Sequence, residues 1–236
     1  MSVLKQNIAA NTTVTNKGLF YALGIIVAWL AFLIFALTRA TSLTNPINLL
    51  YILILTHLYT GLFITAHDSI HGVICKNRLI NNLIGGACLF LFAALSYSKS
   101  TREHHNHHKY VATEKDPDFH HGNFFAWYLR FMYKYITVIQ FLILAVSFNL
   151  IQYFFGISKQ NLVLFWIIPP ILSSLQLFYF GTYLPHKNPE EIDNSQKSRT
   201  QEKNHVWGFI SCYFFGYHFE HHAKPFLPWW RLWQEK

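Results

Sequence analysis

Four stretches of the chain run apolar for about twenty residues each: 19–38, 47–66, 136–156 and 161–184. That is the length a helix needs to cross the hydrocarbon of a bilayer. Pro169-Pro170 falls inside the fourth and predicts a kink, which neighbouring helices can absorb. Leu83–Tyr97 is also apolar but only about 15 residues long, which suits an interfacial or re-entrant helix better than a span. Trp207–Tyr217 is shorter still. The polar stretches between these runs are unusual in one respect: three of them are dense in histidine, as "HDSIH" at 67–71, "HHNHH" at 104–108 and "HFEHH" at 218–222.

Composition agrees with the pattern. Hydrophobic residues make up 52% of the chain and charged residues only 13%, where a soluble domain carries about a quarter charged. The expectation is an all-α integral membrane protein with about four transmembrane helices plus interfacial helices. No Gly/Ser-rich linker or internal repeat divides residues 1–236 into more than one domain. The first 18 residues are mostly polar, and the apolar run after them exceeds a signal-peptide core, so it reads as a retained anchor. Asn11-Thr12-Thr13 fits a glycosylation sequon, a triplet common by chance. Cys75, Cys88 and Cys212 form no CxxC pair and no disulfide framework.

The net charge of +8 could suggest nucleic acid as a partner, but the Lys and Arg residues flank the apolar runs and form no dense cluster. Loop charge on a membrane protein explains them instead. With four spans and Leu83–Tyr97 kept from crossing, 17 of the 19 Lys and Arg lie on one side, and only Arg39 and Lys159 on the other. The Lys/Arg-rich side is the cytoplasmic one. All three histidine clusters then share that face. Were Leu83–Tyr97 to cross, "HDSIH" and "HHNHH" would be on opposite sides and could not meet.

His67 and His71 are four apart; His104, His107 and His108 stand at i, i+3 and i+4, as do His218, His221 and His222. Each set can converge from one face of a helix. His186 follows the fourth span directly. Nine imidazoles are too many for one tetrahedral ion and suit two metal ions with four or five each. Imidazole serves Zn, Cu, Fe and Ni, but zinc has no redox change, and two redox metals beside a bilayer point to oxygen activation on a lipid-soluble substrate. Four acids sit in or near the clusters: Asp68, Asp116, Asp118 and Glu220. They are expected to accept from the outer ring nitrogens and fix the tautomers. His105 lies off the HxxHH spacing, His57 is expected to be hydrogen-bonded inside the bundle, and His120, His121 and His205 are expected at the surface or behind the ligands. Trp229 and Trp230 read as an interfacial belt. A metal carrier is disfavoured because His57 is the only ionisable residue within the four runs.

The spacing HxxxH, HxxHH, HxxHH resembles the membrane fatty-acid desaturase and hydroxylase superfamily of histidine-box non-haem di-iron proteins. The flanks "YTGLFITAHDSIHG" (59–72), "DPDFH" (116–120), "FFAWY" (124–128), "SSLQLFYFGTYLPH" (173–186) and "FGYHFEHH" (215–222) are similar to those of bacterial and cyanobacterial β-carotene 4-ketolases. The resemblance implies iron ligation by His67, His71, His104, His107, His108, His218, His221 and His222, with His186 as the further ligand after the fourth span. Phe219 stands where ketolases usually carry the first acid of H-E-E-H-H. The implied cofactors are two Fe with O2 as co-substrate and an external electron donor. The implied reaction oxidises the ring carbon 4 of a β-ionone end group through two hydroxylations and loss of water, taking β-carotene to echinenone and canthaxanthin. A carotenoid 3-hydroxylase or a fatty-acid desaturase on the same scaffold is the alternative. No GxGxxG fingerprint is present, so a soluble ferredoxin-like donor at the basic face is expected. The location implied is the bacterial inner membrane.

Overall fold

The computed structural model describes residues 15–236, and the Asn11 sequon lies outside them. Those residues are helical, with no strand among them. Four helices are long and apolar enough to cross a membrane: α1 (Lys17–Leu37), α2 (Ile47–Ile70), and, further along the chain, Val138–Phe155 and Lys159–His186. Between them come α3 (Arg78–Ala93), α4 (Tyr97–Tyr110) and α5 (Phe124–Tyr135), then α6 (Val138–Phe155) and α7 (Lys159–His186). Three short helices close the chain: α8 (His205–Cys212), α9 (His218–Ala223) and α10 (Trp229–Leu232).

The breaks are written locally. Asn77, Ser96, Asn123, Thr137, Ser158 and Asn204 each precede a helix and accept from a backbone N–H in its first turn, satisfying donors a helix start leaves unpaired. The core lies between α1, α2 and α7. Trp29 meets Tyr59 edge-on at 5.5 Å, and Thr60 bonds Ser173 at 2.8 Å and Gln176 at 2.7 Å. These interhelical hydrogen bonds satisfy polar groups where no water can. Asn161 ties the start of α7 to the carbonyls of Leu37 and Arg39.

Of the two expectations for the short apolar run, the re-entrant one describes α3. Asn81 and Ser69 exchange hydrogen bonds at 2.7 Å, and Phe92, at the other end of α3, packs on Phe63 and Tyr59. So α3 runs back alongside the second half of α2 and does not lie flat. Ala94, at φ 53, ends it, and α4 leaves at a bend of 101°. The chain returns to the end it came from, and α4 arrives beside the end of α2.

Pro169-Pro170 does not simply kink α7. A π-helical segment, Val163–Ile167, precedes it, and a second, Tyr179–Tyr183, precedes Pro185. Proline lacks an N–H and crowds the carbonyl four residues back; a wider turn ahead of it relieves both. The second segment also re-aims the end of the helix that carries His186. Only Gln140 of α6 is buried; the rest faces outward or onto a cavity between α6 and the bundle.

Gly85 marks a close approach of α3 to α2 and α4: a Cβ there would strike the Ser69 hydroxyl and the Tyr97 ring. Gly85→Val should push α3 off α2 and cost about 1–3 kcal/mol, as overpacking does, read as a lower thermal midpoint of the detergent-solubilised protein.

Candidate metal centre

Nine histidine side chains converge at one end of the bundle in two groups. His67, His71, His104, His108 and His221 form the first; His107, His186, His218 and His222 form the second. Within each group the potential ligand atoms lie within 4.8 Å of one another. The groups abut, with the rings of His108 and His222 stacked at 4.3 Å.

The HxxHH spacing explains the division. On α4 the i, i+4 pair His104/His108 goes to the first group, while His107 turns to the second. On α9 the roles reverse: His218/His222 serve the second and His221 the first. Each HxxHH box therefore feeds both groups. The HxxxH pair, His67 at the end of α2 and His71 as its cap residue, serves only the first. His186, brought round by the π segment, serves only the second. Phe215 seats both sides, edge-on to His67 at 4.8 Å and to His218 at 5.0 Å. A Cβ at Gly181 would strike that ring, so α7 comes this close because the residue is glycine.

Ring nitrogens face each other at short range: His71–His104 at 2.8 Å, His104–His108 at 3.1 Å, His108–His221 at 3.0 Å, His107–His222 at 3.2 Å and His218–His222 at 3.0 Å. The Nε2 atoms of His67 and His186 are buried without any partner. A neutral imidazole has one N–H and one lone pair. Where the outer nitrogen donates outward, the inner one presents its lone pair to the cluster. Burial, reinforced by repulsion between the rings, holds His71, His104, His108, His218, His221 and His222 well below the usual imidazole range. These groups are neutral donors at pH 7. Nine converging nitrogens, six of them on buried rings, are what two nitrogen-loving cations would satisfy, five ligands on one and four on the other. An all-imidazole set without thiolate suits iron, copper or zinc.

The outer nitrogens are anchored unevenly. Asp116 accepts from His107 Nδ1 at 2.9 Å and from the backbone N–H groups of Ala112 and Asp118. Burial alone would lower the His107 pKa, but the Asp116 carboxylate outweighs it and holds the ring above its usual value. Asp68 reaches His67 Nδ1 only at 3.4 Å and also accepts from the Trp229 N–H at 2.8 Å. The expectation that all four acids back a ligand does not hold in the geometry. Asp118 accepts from Tyr135 at 2.7 Å and lines the cavity below the centre; burial pushes its pKa up to about 6. Glu220 turns outward to Thr200 and Lys236, because its place in the box sets it on the opposite face of α9.

Other residues also differ from expectation. His57 takes no hydrogen bond among the described residues and stacks on Tyr213 at 4.4 Å. Trp229 is buried beneath the centre rather than on a belt, while Trp230 stacks on Tyr21. His105 is exposed, and His205 bonds the Tyr217 hydroxyl at 3.2 Å. Two anchors carried no signal in the sequence: the Lys197 carbonyl, which accepts from His186 Nδ1 at 2.9 Å, and the Trp229 N–H on Asp68. Both are main-chain groups, and any residue type supplies them.

A cavity of about 580 Å³ opens from His67, His104, His107 and His218 and runs between α3, α5, α6 and α7, walled by Phe63, Phe92, Phe131, Phe148 and Trp166. Along α7 it extends from Thr182 to Ile167, roughly 20 Å at the helical rise. It is an apolar slot that ends on the histidines.

The model of the fatty acid desaturase family matches residues 43–234. A protein described as beta-carotene 4-ketolase 3 from Haematococcus lacustris is 39% identical, covering 92% of this chain and 78% of its own. A beta-carotene ketolase from Paracoccus sp. (strain N81106 / MBIC 01143) is 38% identical, covering 92% and 91%. A zeaxanthin 4-ketolase from Chlamydomonas reinhardtii is 43% identical over 75% of this chain and 41% of its own. No solved structure matches the chain.

Removing the Asp116 carboxylate should loosen the metal about 10- to 100-fold, the usual cost of losing the partner of a ligating histidine. Asp116→Ala should therefore lose metal on dialysis against a graded chelator at which Glu220→Gln retains it, measured by elemental analysis.

Proposed function

Because the chain belongs to the fatty acid desaturase family, we propose that it is a membrane-bound β-carotene ketolase, placing a keto group at carbon 4 of β-ionone rings. The observation that carries this reading is the apolar slot that ends on nine histidines, in a chain whose relatives along nearly its whole length are ketolases. β-Carotene would be converted through echinenone to canthaxanthin. The relatives favour this over 3-hydroxylation or desaturation.

The nine histidines would hold two irons, and those irons would supply activation of O2 and removal of a ring hydrogen. The protein's own part is positioning and exclusion of water. The slot takes a rigid hydrocarbon lengthwise, and its aromatic walls replace the acyl chains around it. Seating matters because an error of about 1 Å at the reacting carbon can cost roughly a hundredfold in rate. The histidine-bearing end excludes water: His67, His107, His186, His218, His221 and His222 are buried. Asp116 holds His107 in the tautomer whose lone pair faces inward.

Each hydroxylation needs two electrons from outside the chain. Lys76, Arg78, Lys99 and Arg102 lie close to the first two histidine boxes, and a soluble acidic carrier such as a ferredoxin would meet them there. The positive-inside rule makes that face cytoplasmic, with the protein in the bacterial inner membrane.

Expressed in carotene-producing bacteria, the chain should yield echinenone and canthaxanthin on pigment chromatography; zeaxanthin or unsaturated lipid alone would overturn the reading. His221→Ala should abolish the ketones while the protein still inserts, and purified wild type should carry about two irons. Neutralising the four basic residues together should lower turnover and flatten its salt dependence, measured with a reduced ferredoxin as donor, since exposed charges steer association.

A further inference from the structure

A hydrocarbon ring offers nothing to hydrogen-bond, yet the metal end of the slot carries hydroxyl groups. Ser100 stands four residues before His104 and seven before His107 on α4, which places it on the ligand face. Thr182 stands four residues before His186 in the π segment. Both side chains line the cavity, and both are more than nine-tenths buried, at 6% and 7% exposure. Neither hydroxyl takes part in a hydrogen bond among the described residues.

That is exceptional within this protein. Helical Thr56, Thr60, Thr65 and Thr101 each bond a carbonyl four residues back, at 2.8–2.9 Å, the usual refuge of a hydroxyl in an apolar bundle. Other polar groups on the cavity wall are spent on each other: Tyr128 bonds Ser174, and Tyr135 bonds Asp118. Gln140 reaches toward the Ala93 carbonyl, at the dipped end of α3. Gln140 Oε1 and the second carboxylate oxygen of Asp118 are also unpaired among the described residues, but the unpaired hydroxyls that line the cavity from the ligand-bearing segments are those of Ser100 and Thr182. Both residues face the cavity, where a polar group on a bound molecule can pair with their hydroxyls.

Ketone formation puts oxygen at the same ring carbon twice. After the first oxidation the ring carries one hydroxyl, and this alcohol is more polar than the hydrocarbon it came from. It must stay seated for the second oxidation, after which the carbon bears two hydroxyls and releases one as water. We propose that the Ser100 and Thr182 hydroxyls bind the oxygen newly placed at carbon 4 and retain the alcohol for its second oxidation. Each can donate a hydrogen bond to that oxygen or accept one from its O–H, so the pair serves the alcohol and the twice-hydroxylated carbon alike. No bond in the substrate is made or broken by either residue; they are positioning residues whose effect is on the partition between release and further oxidation.

The inference rests on the ketolase reading, and product ratio separates the two. Ser100→Ala, Thr182→Val and the double variant, expressed in carotene-producing bacteria, should raise the ratio of 4-hydroxy to 4-keto pigment over wild type by roughly threefold to tenfold per hydroxyl removed, the range expected for loss of one net hydrogen bond. Thr182→Ser should restore the wild-type ratio. Membranes supplied directly with 4-hydroxy-β-carotene should show a raised KM in the variants. Ketone falling with no rise in alcohol, or loss of all oxygenated pigment in both Ser100→Ala and Thr182→Val, would overturn the inference by showing a purely structural role. Wild type making no 4-oxygenated pigment would overturn the ketolase reading instead.

Discussion

Neutral imidazoles in a dry place constrain everything else in this molecule. Nine ring nitrogens face inward at one end of the bundle, and burial together with mutual repulsion keeps those outside the spans unprotonated, His107 excepted, whose pKa Asp116 raises. Such a cluster has no stable arrangement of its own, since lone pairs at about 3 Å repel unless a proton or cation lies between them. The scaffold must therefore hold it open. It does so with groups that have few alternatives: Asp116 on His107, the Lys197 carbonyl on His186, and Phe215 wedged between His67 and His218.

The backbone departs from regular helix where this convergence requires it. The fourth span would carry His186 past the cluster as a straight rod; the π turn before Pro185 redirects it. The α3–α4 pair would separate the first two boxes across the bilayer as one continuous span; the 101° bend returns them to the same end. Tyr213 and Phe214, both at positive φ, turn the chain between α8 and α9 so that the third box faces the other two. Backbone of this kind is costly for side-chain-bearing residues, and here two such residues in succession stand just ahead of the third box.

Sequence alone made the four spans legible, because 20-residue apolar runs have few other uses, and it made the histidine convergence legible, because HxxHH twice and HxxxH once put eight of the nine on helical faces, with His186 marked only by its place after the fourth span. The division of ligands into five and four was legible only as a count. Which residue goes where depends on the angle between α4 and α9, and no spacing encodes that. The acids show the limit plainly. Asp116 and Asp118 are two residues apart in one loop, yet one backs a ligand and the other faces the slot. Glu220 sits inside a box and bonds outward to Lys236. Proximity in the chain to a ligand says little about a side chain whose direction is fixed by the turn it occupies. The role of Trp229 was hidden for a simpler reason: its contribution is a main-chain N–H.

Both histidine groups draw on α9, at 218–222, and the buried Asp68 is capped by a backbone N–H at 229. These segments follow all four spans in the chain. A nascent chain with three spans inserted already displays the first two boxes, but it has only four of the five donors of one group and a single donor of the other. The two groups are therefore complete only when all three boxes lie at the same end of the bundle, and a chain with its boxes on opposite leaflets could not bring the nine histidines together.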